Sequence, residues 1–203
     1  MKNSIIICPG IHDPQLTQDF LAGLHRCETG NLSSDDAQQV LIFPAQDYPA
    51  YSAVHILEFL QRRISPVQTP LVFISFSAGV AGAIAAAWGW QMLGGEVKAF
   101  IAFDGWGVPL YGNFPIHRLS HDYFTHWSSA LLGAGEDSFY ADPAVTHLDL
   151  WGKPDVCRGW WIHPGVQGKS EERSLITAAQ FVALLLQHYL ENRSQEPGVR
   201  SQE

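Results

Sequence analysis

Cysteine is scarce in this chain: Cys8, Cys27 and Cys157 are the only three. An odd, sparse set with no Cys-x-x-Cys spacing supports neither a disulfide framework nor a zinc site, so a reducing cytoplasm is the expected location. Positive charge is also short. Twelve Lys and Arg stand against twenty Asp and Glu, a formal charge of -8, and no basic cluster offers the footprint that a phosphate backbone requires. Nucleic acid is therefore excluded as an expected partner. The same surplus disfavours attachment to anionic lipid but leaves neutral esters open as substrates. Long apolar runs are missing too. The longest, Ala78 to Leu93, is rich in Ala and Gly, contains Gln91 and falls short of the roughly 20 residues of a membrane-spanning helix. No membrane span is expected. The opening run Ile5-Ile6-Ile7-Cys8 is far shorter than the apolar region of a signal peptide and reads as a buried strand.

What remains is an ordinary complement for one core. With 203 residues, 46% of them apolar, the chain is expected to form a single domain over 1–191, followed by a polar, disordered tail at 192–203. Ser4 to Cys8, Val40 to Phe43, Leu71 to Phe76 and Val97 to Phe103 read as strands. Pro14 to Arg26, Ser52 to Ile64 and Ala78 to Leu93 are long enough for helical crossovers. Strands apolar on both faces and joined by helices predict an α/β fold: a three-layer, doubly wound, mainly parallel sheet. The first three strands to be joined in this way and the fourth are expected in the spatial order second, first, third, fourth.

After Phe103 the pattern loosens at Asp104-Gly105-Trp106-Gly107-Val108-Pro109, and 105–141 reads as a lid or cap segment with a short helix within Pro115 to Leu132. Val145 to Trp151 alternates like a late strand, Trp160 to Ile162 reads as a further short strand, and Leu175 to Leu190 as a C-terminal helix.

The chemistry-bearing motif is Ser75-Phe76-Ser77-Ala78-Gly79, between the strand ending at Phe76 and a helix of small residues. A sharp strand-to-helix turn presents a serine hydroxyl clear of the backbone, and small residues two positions either side avoid collision across it. A serine at that point can also be read as a plain helix N-cap. The motif resembles the Gly-x-Ser-x-Gly elbow of the α/β-hydrolase family, with Ser75 in place of the first glycine. Cys8-Pro9-Gly10-Ile11-His12, closing the first strand, is similar to that family's glycine-containing oxyanion loop. The resemblance spans Ser4 to Phe103. It implies Ser77 as nucleophile and the backbone N–H groups of Ile11 and Ala78 as oxyanion donors; Gly10 and His12, by their place in and after the glycine loop, are candidate substrate contacts.

The acid and base are less sharply marked. Asp104 directly follows the strand after the nucleophile helix, which is similar to the acid's position in pancreatic-type lipases; as a turn former it needs no such role. Among nine histidines, His121 follows Asp104 in the required order at an expected helix start and is the preferred base. His126, His163 and Asp155 stand in reserve, because the eight-residue step from Asp155 to His163 leaves no room for the usual intervening helix. His117, His121 and His126 lack a His-Glu-x-x-His pattern, so no metal is expected, and no cofactor. Trp106, with the other tryptophans, suggests a hydrophobic acyl group. The expected function is a serine hydrolase that cleaves a small-molecule ester or thioester through an acyl-enzyme at Ser77. The alternative is a non-catalytic ligand-binding protein of the same fold. The oligomeric state is not legible.

Overall fold

The computed structural model describes residues 3–27, 39–163 and 172–191; the tail at 192–203 lies outside them. The elements run β1 (Ser4–Cys8), α1 (Pro14–Cys27), β2 (Gln39–Ile42), α2 (Ala53–Gln61), β3 (Leu71–Phe76), α3 (Ala78–Met92), β4 (Val97–Phe103), β5 (Ile116–Ser120), α4 (Tyr123–Ala130), β6 (Ser138–Ala141), α5 (His147–Gly152), β7 (Arg158–His163), β8 (Glu172–Thr177) and α6 (Ala178–Glu191). One eight-stranded sheet takes them in the order β2-β1-β3-β4-β5-β6-β7-β8. It is parallel through β6, and β7 and β8 are added antiparallel.

Alternation along the central strands divides the core in two. Ile5, Ile7, Val72, Ile74, Ile101 and Phe103 face α1, α5 and α6, where they meet Phe20, Trp151 and Phe181. Ile6, Phe73 and Phe100 face α2 and α3, where they meet Ile56, Leu60 and Trp90. Strands buried on both faces account for the unbroken apolar runs. Among the described residues no helix is long and apolar enough to cross a membrane.

The order of the first four strands is what the crossovers require. Beyond Phe103 the structure departs from expectation. The stretch 105–141 is not a detached lid, since it supplies β5, α4 and β6 to the fold. Arg118 explains why it is held. Its guanidinium, buried inside β5, donates to the carbonyls of Gly133 (2.6 Å), Leu132 (3.1 Å) and Val108 (3.2 Å), tying both flanking loops to the sheet. Burial lowers its pKa to about 10. The helix expected within Pro115 to Leu132 begins only at Tyr123, capped by Asp122, whose carboxylate accepts from the Thr125 N–H. Val145 to Trp151 is not a strand: Thr146 caps α5 by accepting from the Asp149 N–H. The C-terminal helix starts at Ala178, because Leu175 to Thr177 pair with β7.

Candidate active site

Chain leaving β1 turns to one side of the sheet and chain leaving β3 to the other, so their C-terminal ends flank the crevice where such sheets bind ligands. Ser77 sits at the end of β3 with φ 53° and ψ -124°, in the left-handed region that a non-glycine residue occupies only under constraint. Its N–H donates to Phe103 O (3.0 Å) and its carbonyl accepts from the Val80 N–H (3.0 Å), which clamps the turn from both sides. Although Ser77 stands at the N-cap position of α3, its side chain makes no capping hydrogen bond. The hydroxyl points elsewhere.

Close packing sets the residues around it. A methyl group on Gly79 would collide with the backbone carbonyls of Cys8 and Pro9, and one on Gly10 would lie 2.9 Å from Ser77 Cβ. The β1 loop thus rests directly on the elbow. Ser75 is tolerated where the resembled motif has glycine because its hydroxyl turns into the sheet and donates to Ile101 O (3.3 Å). Gly79→Ala is expected to destabilise the fold by about 2–3 kcal/mol, since the obstructing atoms are backbone and cannot step aside. Urea unfolding checks this, and an unchanged midpoint would contradict the packing.

The histidine beside Ser77 is His147, not His121. His147 Nε2 lies 3.0 Å from Ser77 Oγ and its Nδ1 lies 2.8 Å from Asp104 Oδ2. Asp104 accepts only, so Nδ1 carries the proton and Nε2 is left to accept from the serine hydroxyl. His147 is the first residue of α5, and its ring stacks on Phe76 (4.6 Å), which stacks on Trp151 (5.0 Å). His121 takes the other flank of Asp104. Its Nδ1 donates to Oδ2 (2.9 Å) and its backbone N–H donates to Oδ1 (2.9 Å).

Asp104, with φ 48°, occupies the left-handed conformation that Asp and Asn tolerate best, and its side chain is only 2% exposed. Burial pushes its carboxyl up, but the hydrogen bonds from His121 and His147 outweigh this and hold it below the usual carboxylate range. His121 is raised above the ordinary histidine value, first by its hydrogen bond to Asp104, against partial desolvation.

Ala78 directly follows Ser77, Ile11 follows Gly10, which packs against Ser77, and neither N–H has a protein hydrogen-bond acceptor among the described residues. His12, expected against substrate, packs on Phe76 (5.4 Å) and Trp151 (6.4 Å), with Nδ1 2.8 Å from Asp13 O. Trp106 is 65% exposed, and its indole N–H donates to Ser128 Oγ (3.2 Å). The reserves are engaged elsewhere: Asp155 pairs with Arg26 (2.7 Å), His163 with Asp137 (2.8 Å), and His126 packs on Tyr140 (5.0 Å).

Among the described residues, Asp104, His121 and His147 are the group whose donor atoms could converge on a metal ion, all within 4.8 Å. The Nδ1–Oδ2 separations of 2.8 and 2.9 Å are hydrogen-bond lengths, and hydrogen bonds fully account for the trio. His117, His121 and His126 do not form such a cluster: His117 is buried in β5 against Tyr189, where burial lowers its pKa to about 4. No protein-family model matches the sequence, and no curated protein matches it.

Proposed function

We propose that this protein is a serine hydrolase with an α/β-hydrolase-like site, cleaving ester or thioester bonds of small or hydrophobic acyl substrates. One observation carries the reading: Ser77, on a constrained elbow, shares its hydroxyl with His147 Nε2 at 3.0 Å while His147 Nδ1 is held by the buried Asp104 at 2.8 Å. The residues run in the chain order serine, acid, histidine, in agreement with the resemblance at the elbow. Ser77 Oγ attacks the acyl carbonyl as His147 Nε2 takes its proton, and the N–H groups of Ile11 and Ala78 receive the developing oxyanion. His147 returns the proton to the departing alcohol or thiol, leaving an ester on Ser77. Water, deprotonated by the same Nε2, then releases the acid and restores the serine. Asp104 fixes the ring tautomer and stabilises the transient imidazolium. Exposed Ile11 and Trp106, on the loops after β1 and β4, border the same sheet edge and favour an apolar acyl chain.

Stopped-flow hydrolysis of p-nitrophenyl butyrate tests the reading. A nitrophenolate burst matching the enzyme concentration is expected, and Ser77→Ala should abolish it. Wild-type protein that binds acyl esters without cleaving them would instead make this a non-catalytic binding protein.

A further inference from the structure

Hydrolysis of the proposed kind needs one imidazole on Asp104, yet the carboxylate holds two. We propose that His121 is a positioning residue of this site: a second imidazole that fixes Asp104 and, carrying positive charge beside it, sets the pH at which His147 gives up its proton. The inference rests on the Ser77, His147 and Asp104 reading above.

The hydrogen-bond inventory makes the two rings inequivalent. His147 turns Nδ1 to Asp104 and Nε2 to the Ser77 hydroxyl, a group that can itself donate. His121 also donates Nδ1–H to Asp104, but its Nε2 lies 3.6 Å from Asp122 Oδ2. A bare nitrogen facing a carboxylate would place two acceptors against each other, whereas a protonated one satisfies both. A proton on His121 thus lies between two carboxylates, which favours the charged ring, and its pKa is raised, first by the hydrogen bond to Asp104. Asp104 from the end of β4, Asp122 from the cap of α4 and His147 from α5 are the titratable groups facing it. Cys157, which feels the Asp104 charge, is pushed up to about 12, chiefly by burial.

The fold builds this arrangement in. The His121 backbone N–H is bound to Asp104 Oδ1 and its carbonyl accepts from the Val145 N–H (3.0 Å), so residue 121 ties the Asp104 turn to the segment that delivers His147. With ring centroids 6.0 Å apart, two imidazolium charges at an effective dielectric near 20 would shift each other by about two pH units, reduced to about one by solvent exposure. The sign follows: a cation on Asp104 opposes protonation of His147, and keeps it a free base to lower pH.

The test is an imidazole titration by long-range proton–nitrogen NMR on 15N-labelled protein, comparing wild type with His121→Asn, whose amide keeps a donor for Asp104 without the charge. The His147 midpoint should rise by about one pH unit in the variant, and the acid limb of kcat/KM should rise with it. A His147 midpoint that does not move overturns the proposal, because a merely structural His121 would alter stability or kcat at every pH alike. Should His121→Asn fail to fold, His121→Gln, reaching toward Asp122, makes the same comparison. A shifted midpoint in a protein that hydrolyses no acyl ester upholds the role of His121 and refutes the hydrolase reading instead.

Discussion

Replacing His147 with alanine is expected to lower kcat/KM for an activated ester on the order of 10^4-fold, roughly 5.5 kcal/mol of transition-state stabilisation. The loss should fall on kcat, because Nε2 lies 3.0 Å from Ser77 Oγ and acts only as the proton moves. The side chain is 42% exposed, so imidazole added to the buffer can enter the vacated space and restore part of the rate. His121→Ala removes no group that touches Ser77 and should cost about tenfold at most near neutral pH. Steady-state kinetics on the two variants decide the assignment: a His147→Ala enzyme within tenfold of wild type, with His121→Ala the more damaged, would return the base to His121.

Asp104→Asn should be nearly as severe, on the order of 10^4-fold in kcat, by a different route. Asparagine tolerates the left-handed backbone at φ 48°, so the turn survives. Its amide nitrogen, however, now meets the imidazoles as a donor. A ring that must accept at Nδ1 carries its proton on Nε2, and His147 then points an N–H at Ser77 instead of a lone pair. Three charge-assisted hydrogen bonds are weakened together, for a stability loss of about 2 kcal/mol.

That loss depends on pH. Asp104 is depressed in the folded state, so its contribution is present above the unfolded carboxyl value near 3.9 and disappears as pH falls through the folded one. His121 is raised, so its contribution is complete below the unfolded histidine value near 6.5 and disappears as pH rises through the folded one. Both act in full between about pH 4 and 6.5. Urea unfolding of wild type and Asp104→Asn should differ most in that window, differ less toward alkaline pH as the His121 part fades, and converge as pH falls through the folded carboxyl value.

Much of the first half of this fold was legible because it is governed by local rules. Strands apolar on both faces and crossovers of helical length are read directly from residue types, and a small-residue elbow places Ser77 at the end of β3. The second half is governed by contacts distant in sequence. Arg118 satisfies its guanidinium on loop carbonyls 10 to 15 residues away, which no periodicity announces, and so a sheet-forming segment looks like a lid. His147 was hidden by a short helix. Six residues are too few to display a 3.6-residue period, and His147, Asp149 and Trp151 alternate as a strand would. The signal was present in Thr146-His147-Leu148-Asp149, where a threonine stands three residues before an acidic side chain in the pattern of a capping box. Reading it places a histidine on the first turn of a helix just past a strand end, where a ring can overhang the crevice. Asp104 and its contact with His121 were legible from position and chain order, but the second imidazole, His147, was not, because a buried carboxylate accepts more hydrogen bonds than a single triad uses.

The most direct measurement is peptide mapping by mass spectrometry after treatment with a fluorophosphonate. One phosphonyl adduct is expected, on Ser77 in the peptide containing Ser75-Phe76-Ser77-Ala78-Gly79, formed slowly in His147→Ala and absent from Ser77→Ala. An unlabelled wild type, or an adduct that remains when Ser77 is alanine, would contradict the assignment of Ser77 as an activated nucleophile.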